Sequence, residues 1–226
     1  MVKQERAART RQALIRAGAE VFAQEGFVSA SLSAISRRAG VSSGALHFHF
    51  ESKKALAEAV ESEALEAVRR IVREASARDD RALAGLIDAT HGLMNRIAED
   101  VVVRAGFELS GDPGRGEGPT LRWEWQQWVE GMVRRSAEEG WLAQGVSADD
   151  AAAAIVAATM GFEVMGTEDK AWLSEKKVAG FWELLLPRLT ERHAQMSAGW
   201  STRGRVGAQR GEPDPVVGGQ SRPGTL

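Results

Sequence analysis

LSAISRRAGVSSGALHFHF, residues 32–50, decides how the rest of the chain is read. Leu32, Ile35 and Ala39 share one face of a first short helix. Gly40 breaks that helix, Val41 is apolar, and Ser42 can cap a second helix by accepting a backbone N–H bond. Leu46 and Phe50 fall four apart on the second helix and face back toward the first. Helices this short do not stand alone in water and need a neighbour to pack against. The pattern is that of a helix-turn-helix, a motif whose second helix enters the major groove of DNA.

The neighbour lies just upstream. TRQALIRAGAEVFAQEGF, residues 10–27, is amphipathic, with Leu14, Ile15, Gly18, Val21 and Phe22 as its apolar stripe. Thr10 is placed to cap this helix, Gly26 to end it, and Phe27 to pack back on the last turn. Residues 1–8 are polar and carry Lys3 and Arg6. They fit either a basic arm that follows the DNA backbone or a frayed, solvated terminus. Downstream, Ser52 opens a long helix with Leu56, Val60, Ala64, Val68 and Ile71 along one side. Its length suits a connector from the DNA module into a second domain.

Composition narrows the remaining classes. The chain has 226 residues, 27% charged and 43% hydrophobic, which is ordinary for a globular protein. It has no cysteine, so disulfides, thiol chemistry and Cys-based zinc sites are excluded. No signal-peptide pattern or membrane-length apolar run is visible, so a cytoplasmic location without membrane association is expected. The net charge of −2 is low for a nucleic-acid binder, but its distribution is uneven. Residues 1–60 hold nine Lys/Arg against five Asp/Glu, while the rest hold 20 against 26. The modest basic excess therefore sits beside the helix-turn-helix.

The C-terminal part reads as helices throughout. RALAGLIDATHGLMNRIAED turns Leu83, Leu86, Ile87, Leu93, Met94 and Ile97 inward. VVVRAGFELS reads as a helix, although its β-branched start also fits a strand. GDPGRGEGP, residues 111–119, is a loop by its four glycines and two prolines. TLRWEWQQWVEGMVRRSAEEG carries three tryptophans, and Ser147 with Asp150 forms a capping box for an Ala-rich helix. AWLSEKKVAGFWELLLPRL is expected as the last helix, with Leu173, Val178, Phe181, Leu184 and Leu185 inward and Pro187 kinking or ending it. The last 30 residues, with seven Gly and three Pro, have no apolar period and are expected to be disordered.

Candidate functional residues follow from this layout. Ser42, Ser43, Gly44, Ala45, His47 and His49 lie on or near the exposed side of the second short helix. Small residues there let the backbone approach the groove, and serine hydroxyls can bond phosphates or base edges. Ser31 or Ser33 can hold a phosphate at the preceding helix N-terminus, and Lys53 another in the first turn of the long helix. Capping alone also explains Ser42 and Ser52. His47 and His49 are two apart on a helix and point to different sides, so they make a poor metal pair. His91 and His193 add no zinc spacing, and neither a metal nor a cofactor is expected. No GxSxG, P-loop or GxGxxG motif argues for an enzyme. Leu121, Trp125, Trp128 and Met132 share a helix face. They suit either a packed core or, with Met94, Ile97, Val101 and Phe107, the wall of an apolar ligand pocket.

GFVSASLSAISRRAGVSSGALHFHFESKKAL also resembles the DNA-binding region of TetR-type transcriptional regulators. Ser31, Ile35, Ala39, Gly40, Val41, Ser42, Gly44, His49, Phe50 and Lys53 match that pattern. Ser36 stands where the family usually has Ala, and His47 where it usually has a phosphate-binding Tyr. The GAL-x-FHF ending, VVVRAGFEL and the pair Glu124-Trp125 are similar to the γ-butyrolactone receptor subfamily, whose pocket tryptophan corresponds to Trp125. The resemblance implies a homodimer with its interface on the C-terminal helices and a pocket whose ligand releases the DNA. In that subfamily the ligand is a butyrolactone, or an antibiotic in the pseudo-receptors.

The reading is an all-α protein. Residues 1–51 form a three-helix DNA-binding module, residues 52–196 a helical ligand-binding and dimerisation domain, and residues 197–226 a disordered tail. Its expected function is repression: a dimer binds a double-stranded, inverted-repeat operator and is released by a small hydrophobic effector. The DNA-binding set is Ser31, Ser33, Ser42, Ser43, Gly44, Ala45, His47, His49 and Lys53; the effector set is Trp125, Trp128 and Met94. The rival reading is a helical small-molecule-binding protein or enzyme whose helix-turn-helix is vestigial.

Overall fold

The computed structural model describes residues 2–78, 81–111 and 120–190, and every regular element among them is helical. α1 (Val2–Ser29) starts eight residues before the expected cap at Thr10. The Thr10 hydroxyl donates to the Arg6 carbonyl at 3.0 Å, a bond inside the helix and not at its end. Glu5, Ala7 and Ala8 favour helix, and Glu5 suits the positive end of the dipole, so the polar start extends the helix in place of an arm. At Gly26 (φ 75°, ψ 162°) α1 kinks, and the Phe27 ring returns to within 5.8 Å of Phe22.

α2 (Leu32–Arg38) and α3 (Ser43–His49) meet at Gly40, whose φ of 67° only glycine adopts at little cost. Ser31 and Ser42 cap them, accepting from Ala34 and Ala45 backbone N–H groups at 3.2 and 3.1 Å. Ser52 does the same for α4 (Lys53–Arg78), accepting from Ala55 N–H at 3.0 Å. Leu14, Ile15, Phe22, Ile35, Leu46, Phe50 and Leu56 bury together. Val102, Ala105 and Leu109 complete the same cluster from α6 (Val101–Ser110). This packing runs on from α3 into α4 and α6, and the described residues up to 190 belong to one compact unit.

α5 (Ala82–Glu99) precedes α6, which is helical despite its β-branched start. Asp100 caps α6 by accepting from Val102 N–H at 2.9 Å. α6 lies against both α4 and α1. At the α4–α6 crossing a Cβ built on Gly106 would overlap the Ala64 methyl, so only glycine permits this approach. α7 (Leu121–Glu138) is capped by Thr120, and α8 (Ala148–Glu168) by Ser147, which accepts from Asp150 N–H at 3.2 Å.

The last expected helix is divided. A 3-10 turn, Lys170–Leu173, is followed by extended Ser174 and then by α9 (Glu175–Leu189). The break resets the helical phase. Val178, Trp182 and Leu189 face inward, and Leu184, expected inside, is 81% exposed. Pro187 sits within α9, near its end, where little helix remains to be disrupted. The glycine-rich loop falls on residues 112–119 and the expected tail on 197–226, both outside the described residues. Among the described residues no helix is long and apolar enough to cross a membrane.

Candidate nucleic-acid interface and apolar cleft

α3 presents one side outward. Leu46 and Phe50 are buried against α1 and α4, while Ser43, Gly44, His47 and Phe48 are exposed and Ala45 is partly so. The two helix caps fix the ends of this surface. Ser31 Oγ also lies 3.1 Å from Ser33 Oγ, so both hydroxyls gather at the start of α2. Ser36, in the place of the usual alanine, is buried and donates to the Ser33 carbonyl at 3.1 Å. Its hydroxyl is satisfied within the helix, which removes the cost of burying it.

Lys53 has a role the sequence did not suggest. Its ammonium donates to the carbonyls of Val28 and Ala30 at 2.9 and 2.8 Å and stands 4.8 Å over the Phe27 ring. It thereby ties the end of α1 to the start of α4. An ammonium has three donors, so one N–H is left for a further acceptor. His47 is exposed, and half-buried His49 meets the Phe48 ring edge-on at 5.1 Å. Phe48 itself, 81% exposed, was missed as a candidate. Its signal was the one aromatic of the GALHFHF run that falls on neither the Leu46 nor the Phe50 side.

A second feature lies between α4 and α7. Leu65, Val68 and Val72 from α4 face Trp125 and Trp128 from α7 across a cleft of about 190 Å³, with Arg69, Arg73 and Glu124 as its polar lining. The two indoles stack at 5.1 Å with a 38° tilt. Arg69 bridges Glu66 at 3.1 Å and Glu124 at 3.5 Å. Trp125 is only 1% exposed, so it offers the cleft an edge, and its N–H donates to Thr159 Oγ1 at 3.0 Å. Half-buried Trp128 is the more open of the two rings. Trp125 thus packs into the core, while Trp128 lines the cleft. Met94 is fully buried in α5 and does not line the cleft.

A charged pair joins α7 to α8. Glu163 on α8, 2% exposed, is gripped by the Arg122 fork from α7 with its closest approach at 2.9 Å. The fork lies against Gly111, where a side chain would displace it. Burial pushes the Glu163 carboxyl up, partly offset by Arg122. Glu108, on α6, is pushed up to about 7 by burial, opposed by Arg104 and reinforced by Glu163. Burial lowers His91 on α5 to about 4. Among the described residues no three His, Asp or Glu side chains are grouped to hold a metal ion.

Comparison with known proteins gives this geometry a lineage. Residues 14–60, from the second half of α1 to the first turns of α4, match the family described as bacterial regulatory proteins, tetR family. The chain is 30% identical over 210 residues to the A-factor receptor protein of Streptomyces griseus, covering 91% of this chain and 72% of that one. It is 43% identical over 51 residues to the Escherichia coli HTH-type transcriptional regulator UidR, covering 23% of this chain and 26% of that one. A crystal structure of a gamma-butyrolactone receptor, an ArpA-like protein, is similar at a TM-score of 0.75 and 25% identity, covering 89% of this chain and 98% of that one. CprB from Streptomyces coelicolor, solved in complex with its operator sequence, is similar at a TM-score of 0.72 and 26% identity, covering 88% and 99%. A helix-turn-helix built on a shared core, and relatives that match along most of the length, lead to one conclusion: the chain belongs to the tetR family of DNA-binding transcriptional regulators and resembles the gamma-butyrolactone receptors within it.

Proposed function

We propose that the protein is a ligand-responsive repressor that binds an inverted-repeat operator as a homodimer and leaves it when a small hydrophobic effector enters the α4–α7 cleft. One observation carries this reading: the wall of the cleft is α4, the same helix whose first turn is tied through Lys53 to the end of α1. At about 190 Å³ the cleft is smaller than the roughly 300–1,000 Å³ of typical small-molecule sites. Admitting an effector therefore requires α4 and α7 to separate. Displacing α4 moves the helix-turn-helix with it, so an effector favours whichever spacing of the two modules does not fit the operator. A butyrolactone or an antibiotic is the class of effector this reading takes.

The surface of α8 and α9 supports the dimer. Val164, Met165 and Leu184 are exposed at 50%, 42% and 81%, and Ala153, Ala154, Ala157 and Gly161 give α8 a small-residue face that allows close approach. A second copy covering these helices would place two α3 helices about one two-fold axis, matched to an inverted repeat.

The deciding experiment is a gel shift with the DNA upstream of the protein's own gene, repeated with organic extracts of the host. A shift that the extract abolishes supports the reading. No shift favours a helical binding protein with a vestigial motif, and a shift indifferent to every extract removes the effector from the account.

A further inference from the structure

The lining of the α4–α7 cleft carries more positive charge than it answers. Arg69 and Arg73 lie one turn apart on the α4 stripe that also brings Leu65, Val68 and Val72 to the cleft. Glu124, from α7, is the one carboxylate among the described residues of that lining. Arg69 is already engaged, through Nη1 with Glu66 at 3.1 Å and through Nη2 with Glu124 at 3.5 Å. Arg73 is exposed and has no hydrogen bond or ion pair among the described residues. Like charges one turn apart on a helix repel, and nothing in the lining offsets the second of these. Apolar walls of low dielectric concentrate the field of charges that line a cleft, so this excess favours an anion there.

Resting on the reading of this cleft as the effector site, we propose that the effector is an apolar carboxylic acid bound as its anion. Its apolar body lies against Val68, Val72 and Trp128, and its carboxylate meets the Arg73 guanidinium. The excess in the lining is two guanidiniums against one carboxylate, a single charge, which a monoanion cancels. A guanidinium offers a carboxylate two parallel N–H donors, and both bonds are strengthened by the charges; a neutral lactone has no charge to add. The same carboxylate competes with Glu124 for Arg69, one turn away. Because the Arg69–Glu124 pair ties α4 to α7, an acid that draws Arg69 from Glu124 also loosens the two helices that must part to admit it.

The test uses the full chain and two probes with the same number of carbons, octanoate and γ-octalactone, titrated by calorimetry at neutral pH. In low salt octanoate should bind about tenfold more tightly than the lactone, the worth of one charged hydrogen bond. High salt should shrink that preference. Arg73→Gln should bind the two probes alike, while Arg73→Lys, which keeps the charge, should retain the preference; circular dichroism melts show that both variants fold. Lactone binding as tight as that of octanoate overturns the proposal. So does a preference that survives Arg73→Gln, and so does binding of neither probe. Operator anisotropy with each probe separates this proposal from the reading beneath it. Octanoate that binds through Arg73 but leaves the operator complex intact sinks the effector reading and spares the acid site. Lactone that releases the operator where octanoate does not sinks the acid and spares the effector reading.

Discussion

The Trp125 indole N–H donates to Thr159 Oγ1 across 3.0 Å, and both residues are buried, so one polar bond joins α7 to α8 directly behind the cleft. The Thr159 hydroxyl in turn donates to the Val156 carbonyl at 3.1 Å. Trp125→Phe removes the first bond but leaves the hydroxyl satisfied by the second, so the cost should be about 1 kcal/mol. Trp125→Ala empties a core position and should cost about 3–5 kcal/mol, which makes it a poor probe of the effector. Trp128→Ala, at the half-buried ring, should keep operator binding and weaken effector release at least tenfold. If anisotropy shows release unchanged in both Trp125→Phe and Trp128→Ala, the cleft is not the effector site.

Stability should carry two opposed pH dependences. Glu108 is raised from 4.5 to about 7, so the stability it contributes is complete below pH 4.5 and is lost as the pH rises through about 7. Glu163 is raised too and adds to that falling slope. His91 is lowered from 6.5 to about 4, so its contribution is complete above pH 6.5 and is lost as the pH falls through about 4. Between pH 4.5 and 6.5 the slopes oppose each other. Glu108→Gln should raise Tm at pH 8 by about 2–4 °C, taking about 1 kcal/mol after solvent screening, and should expose the rising slope of His91. His91→Gln should steepen the fall between pH 4.5 and 7. Thermal melts from pH 4 to 8 decide it, and a Glu108→Gln profile parallel to the wild type would sink the assignment.

Lys53 is both a clamp and a candidate phosphate contact, and salt separates the two roles. Loss of its bonds to Val28 and Ala30 should lower stability by about 1–3 kcal/mol in Lys53→Met. If the remaining N–H also meets a phosphate in each half-site, the slope of log K against log salt should fall by about one unit per contact. An affinity loss with an unchanged slope leaves Lys53 as a clamp alone.

These sites divide by how far the sequence discloses them. The helix-turn-helix was legible because its signals are local: Gly40 for the turn, Ser31 and Ser42 for the caps, Leu46 and Phe50 for the buried side. The phase of α9 was not, because it depends on a break at Ser174 that a continuous apolar pattern conceals. Lys53 was recognised by position, but its bonds to carbonyls more than 20 residues away exist only once α1 and α4 meet. The Arg122–Glu163 pair, 41 residues apart on two helices, had no sequence signal beyond opposite charge. Trp125 and Trp128 were placed on one face correctly, yet which of them opens to the cleft was decided by Thr159 on a third helix.

The α4–α6 crossing is where cleft and DNA module share a wall, and it turns on one missing side chain. α6 packs on α1 as well as α4, and its Val102, Ala105 and Leu109 belong to the core beneath α2 and α3. Gly106→Ala puts a methyl where Ala64 already stands, so the helices must part or bend. Overpacking of this kind should cost about 1–3 kcal/mol. If the crossing only stabilises the fold, operator affinity of the folded protein should stay unchanged. If it sets the position of α4, affinity should fall as well, by an amount that effector no longer increases. Ala64→Gly in the same chain restores the space, and the pair should be less than additive, recovering both Tm and affinity beyond the about 1 kcal/mol that a helix glycine costs. A double-mutant cycle on melting and operator anisotropy reads both. Strict additivity would mean that α4 does not respond to α6, and that effector entry must reach the DNA module by another route.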